Sequence, residues 1–254
     1  MSEFKNKTVV ITGAIGDIGA AMATLFLEQG SQVCISDIFA KEEANKQQPE
    51  LLKHPNLHYA MVDVRDYVAV SSWLEDCKVR HGSIDIVIAN ASKVTVKDLT
   101  SISAAEWMDE INVNLNGSFH VANSCAKLFQ ENQIAGSIVF IGSWAAHAVH
   151  SNLPAYTVSK AAVRMLCQTM ALTYAPFGIR VNEIAPGFVN AGLSKQVWQK
   201  EPDAQEKAKN IVPLSGILES NEVAKQVLWI CSSANRLLTG ASIVIDGGLS
   251  LVRP

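Results

Sequence analysis

Short runs of β-branched and aliphatic residues recur along the chain, separated by longer stretches in which apolar positions return every three or four residues. The runs are Thr8–Thr12, Gln32–Ser36, Leu57–Val62, Ile84–Ala89, Ser137–Ile141, Ile179–Ile184 and Ser242–Ile245. They are apolar at nearly every position rather than at alternate ones, as strands covered by helices on both faces must be. In the first intervening stretch Ile18, Ala21, Met22, Leu25 and Phe26 fall at i, i+3, i+4, i+7 and i+8, and Gly30 supplies the stop. Seven such runs alternating with helical stretches predict an α/β fold, a doubly wound parallel seven-stranded sheet with helices on both faces. No repeat, low-complexity tract or Pro/Gly-rich linker divides the sequence, so residues 1–254 are read as a single domain. The least regular stretch is about 190–221, with Pro202 and Pro213 among mixed charges. An irregular insertion of this kind more often covers a site than fills space.

Composition narrows the function. The 254 residues hold 21 Lys+Arg against 24 Asp+Glu, a net charge of −3, with no basic stripe, which argues against nucleic acid as a partner. No apolar run approaches the ~18 residues of a membrane span. Residues Met1–Lys5 lack a basic region followed by an apolar one, so no secretory leader is expected. Cys34, Cys77, Cys125, Cys167 and Cys231 are odd in number and never spaced as CxxC. Buried thiols in a reducing cytoplasm are expected, with neither a disulfide framework nor a metal site.

Two motifs carry chemistry. Directly after the first strand, Thr12-Gly13-Ala14-Ile15-Gly16-Asp17-Ile18-Gly19 opens the first helix. Glycines at such a turn let the backbone approach a pyrophosphate, and the helix N-terminus offers unpaired N–H groups; this is the Rossmann-type arrangement. The second strand then runs into Asp37, whose carboxylate can accept both ribose hydroxyls but would repel a 2′-phosphate. No Lys or Arg stands in the turn or immediately after Asp37, so NAD is favoured over NADP. The second motif is Tyr156-Thr157-Val158-Ser159-Lys160, which on a helix puts Tyr156 and Lys160 on one face, ~5–6 Å apart. A phenol titrates near ~10, so acid/base work near neutrality needs a drop of ~2–3 units. An ammonium at ~5 Å and an effective dielectric of ~20 is worth ~3 kcal/mol to a phenolate, nearly enough. Alone, such a pair fits a surface Tyr–Lys contact better.

Taken together the motifs make the chain resemble the short-chain dehydrogenase/reductases over nearly its whole length. The matching positions are TGAIGDIG at 12–19, Asp37, Asp63-Val64, Ala89-Asn90-Ala91 and Asn114 in Val113-Asn114-Leu115. Ser143, YTVSK at 156–160, Pro186-Gly187 and the Thr239-Gly240…Asp246-Gly247-Gly248 ending complete them. The resemblance implies an NAD(H)-dependent oxidoreductase moving hydride between nicotinamide and a secondary alcohol or ketone. Tyr156 would be the general acid/base, Ser143 would polarise the substrate oxygen, and Lys160 would lower the Tyr156 pKa and hold the nicotinamide ribose. Asn114, a residue that disfavours a helix interior, would support a water in a proton relay. Cofactor contacts would come from Gly13, Asp17, Ile18, Gly19, Asp37, Asp63, Val64, Asn90, Tyr156, Lys160, Pro186, Gly187 and Val189. Ser143 could otherwise cap a turn, and Asp63 the following helix. The resemblance also implies a homotetramer, or a homodimer, built on the helices holding Asn114 and Tyr156 and on the final strand and helix.

Three positions depart from the family pattern. Asp17 stands where a glycine is usual; its carboxylate must point into solvent or cap the helix. Ala89 and Ser92 flank Asn90-Ala91 in place of an Asn and a Gly, which puts a strand-tethering hydrogen bond in doubt. Ala191 stands where a Thr often reaches the carboxamide, a contact left to Asn190 or a backbone group. The loop after Ser143 carries Trp144, His147, His150, Ser151 and Asn152. Trp144 and His150, with Ser143 and Tyr156, are the expected substrate contacts, and Trp198 is either a lid contact or ordinary packing. The polar character of this loop leans toward a sugar, polyol or hydroxy acid. Two other readings compete, a same-fold lyase without nucleotide and a non-catalytic dinucleotide-binding sensor or scaffold.

Overall fold

The computed structural model describes residues 2–252. Strands β1 (Thr8–Thr12), β2 (Gln32–Asp37), β3 (Leu57–Met61), β4 (Ile86–Ala89), β5 (Ser137–Ile141), β6 (Arg180–Pro186) and β7 (Ser242–Ile245) form one parallel sheet. Their order is β3-β2-β1-β4-β5-β6-β7, so the chain winds outward from β1 and then crosses back to β4. That reversal opens a crevice at the C-terminal ends of β1 and β4, where dinucleotides bind in such sheets. The doubly wound parallel sheet expected from the sequence is the fold.

The helices are α1 (Asp17–Glu28), α2 (Lys41–Gln47), α3 (Pro49–Leu52), α4 (Tyr67–His81), α5 (Ala104–Ile111), α6 (Ser118–Glu131), α7 (Pro154–Tyr174), α8 (Gly192–Lys200), α9 (Pro202–Ile211) and α10 (Ser220–Cys231). Successive strand residues point to opposite faces, and both faces are dry. On one, Val10, Val87, Phe140 and Val181 pack under Leu74 of α4, Phe129 of α6 and Val163 of α7. On the other, Val9, Ile11, Val33 and Ile184 pack under Phe26 of α1 and Val227 of α10. The near-continuous apolar strands follow from this two-sided cover.

The boundaries shift by a residue or two. β2 reaches Asp37, β3 stops at Met61, β4 starts only at Ile86, and β6 runs from Arg180 to Pro186. Burial continues past these ends, at Val62 and Ile84, where the ladder does not. The stretch 190–221 is not irregular: α8 and α9 occupy most of it. Pro202, which reads as a breaker, starts α9, and the first turn is the one place a helix takes proline without losing a hydrogen bond. Between α5 and α6 the helix widens into a π-turn over Asn112–Gly117, so Asn114 does not sit in a regular α-helix.

Phe129 has no exposed surface, and its ring presses against Gly136, where a Cβ would lie 2.2 Å from it. Phe129→Ala is expected to cost ~3–5 kcal/mol, read as a lower urea midpoint with an unchanged slope.

Candidate active site

The phosphate end is built from backbone. Gly13 has φ +62°, and a Cβ there would sit 2.6 Å from Ala91 Cα, so only glycine lets β1 and the end of β4 close together. Thr12 Oγ1 accepts from the N–H groups of Asn90 and Ala91, each at 3.2 Å. Asn90 Nδ2 donates to the carbonyls of Thr12 at 2.9 Å and Gly13 at 3.0 Å. The tether that Ala89 and Ser92 put in doubt is therefore made, by Asn90 and Thr12. Gly16 precedes α1 without any side-chain cap, which leaves the first-turn N–H groups to another acceptor.

Asp17 does neither of the two things expected of it. Its Oδ2 accepts from Gly192 N at 2.8 Å and its Oδ1 lies 3.4 Å from Lys195 Nζ. The carboxylate has turned away from the loop toward α8, where a cation and a free amide satisfy it. Asp37 Oδ2 accepts from Ile15 N at 3.0 Å and its Oδ1 from Ile38 N at 2.8 Å. Burial pushes its pKa up, and these two bonds oppose the rise. Each oxygen keeps a lone pair for a further donor. Asp63 is held by Arg65, whose guanidinium pulls the Asp63 carboxyl down and also reaches Asp109 at 2.6 Å. It is not a helix cap; Asp66 caps α4, accepting from Val68 N and Ala69 N. Uncapped amides, a glycine turn and a strand-tip carboxylate suit the pyrophosphate and ribose of a dinucleotide, and Asp17 leaves that cradle clear.

At the other end of the crevice, Ser143 Oγ accepts from Ala145 N at 3.1 Å and caps the short 3-10 turn Trp144–Ala146. Capping uses a lone pair, so the O–H stays available to a substrate oxygen. Tyr156, half-buried, lies in the first turn of α7. Lys160, one turn later and 3% exposed, donates from Nζ to the Ile141 carbonyl at 2.8 Å and stands 5.5 Å from the Tyr156 ring centroid. Burial lowers the Lys160 pKa to about 8, against the pull of Glu183 and Glu110. Burial also raises Tyr156, Ser143 lowers it, and Glu110 raises it. The ammonium lies over the ring, anchored to the sheet.

Asn114 is fully buried and saturated. Its Nδ2 donates to Lys93 O at 2.9 Å and Ser159 Oγ at 3.0 Å, while its Oδ1 accepts from Lys93 N at 2.8 Å and Ser92 Oγ at 3.1 Å. Ser159 Oγ in turn donates to the Tyr156 carbonyl at 2.7 Å, so the π-turn grips the first turns of α7.

On the substrate side the aromatics form a wall. Trp144 meets His150 edge-on with ring centroids 4.4 Å apart and Phe188 at 5.3 Å, and Phe188 meets Trp198 at 6.4 Å. His147 is exposed and its Nδ1 lies 3.0 Å from Arg164 Nη1. Burial lowers the pKa of both histidines. Val189, buried, bridges to Leu218, and Asn190 Nδ2 bonds the Glu219 carboxylate at 3.1 Å. Asn190 is thus committed to Glu219.

Sequence reasoning missed Phe188, Glu110 and Glu183. Phe188 had a signal, an aromatic residue directly after Pro186-Gly187; so did Glu183, a charge inside an apolar strand run. Glu110 had none, since its burial depends on the Thr95 segment folding over α5, where Thr95 N donates to Oε2 at 2.9 Å.

A family profile described as "Enoyl-(Acyl carrier protein) reductase" matches residues 13–250. The chain is 30% identical over 256 residues to 3beta-hydroxysteroid dehydrogenase 1 of Eggerthella lenta, covering 98% of this chain and 95% of that one. It is 28% identical over 260 residues to glucose 1-dehydrogenase 2 of Bacillus subtilis, covering 98% and 96%. A short chain dehydrogenase of Bacillus anthracis superposes with a TM-score of 0.90 at 27% identity, covering 99% of each chain. Aldohexose dehydrogenase of Thermoplasma acidophilum superposes with a TM-score of 0.89 at 27% identity, covering 100% and 97%. With the sheet order, the glycine turn and the Ser143–Tyr156–Lys160 set in place, the chain belongs to the short-chain dehydrogenase/reductase family.

Proposed function

We propose that the protein is an NAD(H)-dependent dehydrogenase/ketoreductase acting on a secondary alcohol or ketone. The observation that carries this is the convergence of Ser143, Tyr156 and Lys160 at the end of the crevice whose other end is the glycine turn. Gly13, Ile18, Gly19 and Asn90 line the phosphate region, Asp37 takes the ribose, Asp63 and Val64 lie toward the base, and Pro186, Gly187 and Val189 border the nicotinamide end. Bound there, the dinucleotide supplies or takes the hydride. Tyr156 gives its proton to the substrate oxygen in reduction and takes it in oxidation. Ser143 donates to the same oxygen and stabilises the charge that builds on it. Lys160 favours the phenolate, and Asn114, its side chain saturated and its main-chain carbonyl accepting from Ser118 Oγ at 2.6 Å, has only the second lone pair of that carbonyl left to steady a water.

The engagement of Asp17 with Gly192 and Lys195 keeps its charge off the cradle, which favours the dehydrogenase over a lyase or a sensor. For the substrate, the lean toward polar compounds rested on His147 and His150. One faces Arg164 and the other meets Trp144 edge-on, so we favour a cyclic secondary alcohol that lays an apolar ring face on Trp144 and Phe188. Segment 190–221, now α8 and α9, is the proposed cover, with Trp198 joining it to that wall. Exposed Phe119, Val158, Met165 and Leu172 on α6 and α7 support assembly into a tetramer. No described helix is long and apolar enough to cross a membrane, and the five free, buried cysteines fit a cytoplasmic location.

Tyr156→Phe should lower turnover of a cyclic alcohol by ~10²–10⁴-fold while NADH affinity, read by nicotinamide fluorescence, stays unchanged; an active variant would sink the assignment. Because burial holds the Tyr156 pKa above that of an ordinary phenol, the phenolate gains population only as pH rises. Alcohol oxidation should therefore accelerate from neutral to alkaline pH and ketone reduction should slow over the same range. Titration with both cofactors should give NADH at least ~10-fold tighter binding than NADPH, with Asp37→Ala narrowing the gap; tighter NADPH in the unmodified protein would overturn the NAD preference.

A further inference from the structure

Glu183 is the charge that the proposed chemistry leaves without a task. It stands in the middle of β6, has no exposed surface, and neither carboxylate oxygen has a hydrogen-bond partner among the described residues. An unpaired buried carboxylate is expensive; burial pushes the Glu183 pKa up, and Ser242, Lys160 and Arg164 pull against the rise.

The space it fills is made for it. Its side chain lies against Gly142, where a Cβ would come 1.8 Å from Oε1. Gly142 is the residue between Ile141, whose carbonyl holds Lys160 Nζ, and Ser143. Gly142 N donates to the Ile184 carbonyl at 2.8 Å, which fixes the strand edge beside Glu183. Lys160, Arg164 and Cys167 of α7 and Ser242 of β7 lie within electrostatic reach of this carboxylate, on the side of the sheet that α7 covers. Arg164 is already engaged by His147. Lys160 has three donors and spends one on Ile141. The other carboxylate facing Lys160 is Glu110 of α5, whose Oε2 is committed to Thr95 N.

We propose that Glu183 is a positioning residue: its buried carboxylate is the counter-charge that keeps the Lys160 side chain an ammonium, seated on the Ile141 carbonyl beside Tyr156. The link to catalysis rests on the reading of Lys160 as the support of the Tyr156 phenolate; the charge relation between Glu183 and Lys160 does not. Taking the negative charge away leaves the ammonium with burial opposing it and only Glu110 helping, so its proton leaves at lower pH. Above that pH the phenolate loses its neighbouring cation.

The test is Glu183→Gln, which keeps the shape and removes the charge. Lysine ε-¹³C resonances are followed by NMR against pH, with the Lys160 signal assigned by its loss in Lys160→Met. In the unmodified protein Lys160 should titrate at about 8. In E183Q the midpoint should fall by about one unit, a tenfold loss of the ammonium fraction above it, and Glu110→Gln should produce a smaller fall. An unmoved Lys160 midpoint in E183Q would overturn the proposal. In alcohol oxidation the pH profile of E183Q should shift to the alkaline side with unchanged NADH affinity. A lower melting temperature with an unshifted profile would mean that Glu183 is only structural. If E183Q does not fold, Glu183→Met fills the same volume with no polar group to satisfy, and its Lys160 midpoint decides in the same way. Should the unmodified protein oxidise no alcohol, the proposed function fails while the NMR titration still decides the role of Glu183.

Discussion

Keeping an ammonium almost free of water is the constraint around which this structure is arranged. Lys160 is 3% exposed, and burial pulls its pKa down to about 8. A β5 carbonyl takes one of its hydrogens, and carboxylates from β6 and α5 supply opposing charge at longer range. Each partner comes from a different part of the chain, and only the parallel sheet brings β5 and β6 side by side under α7. The π-turn matters for the same reason. By widening between α5 and α6 it turns Asn114 inward, and Asn114 and Ser159 fix the first turns of α7 from which Tyr156 and Lys160 project.

The strand-tip half of the crevice obeys a different logic. There the groups are mostly main-chain: a left-handed glycine, uncapped amides, and Asn90 and Thr12 knitting β1 to β4. Such a cradle tolerates side-chain change so long as no charge intrudes. Asp17 meets that condition by leaving the cradle for Gly192 and Lys195, which also pins the start of α8 to the start of α1.

What could be read beforehand follows the same division. Hydrophobic periodicity is a local property, so the seven strands and their two-sided cover were legible, as were the glycine turn and the Tyr156–Lys160 spacing. Strand ends were less so, because the ladder depends on a neighbour hundreds of atoms away in the chain, as where Ile86 finds Val9 and Ile84 does not pair. The helical nature of α8 and α9 was hidden by Pro202, a residue whose meaning reverses between a helix interior and its first turn. The fate of Asp17 depended on α8, and the aromatic wall on Phe188 meeting Trp144 across the β5–β6 ends. The electrostatics were least accessible. Spacing placed an ammonium near a phenol, but not the desolvation of both, nor the carboxylates that answer it.

The missing side chain at position 142 has an evolutionary corollary. A methyl group there and a glutamate at 183 cannot occupy the same volume, so the two sites cannot drift independently. A lineage that gains alanine or serine at 142 must shorten the side chain at 183 or turn it aside. Descendants of this chain that keep the glutamate should therefore keep the glycine as well, while the glycine places no demand on residue 183, a one-way dependence written by van der Waals radii.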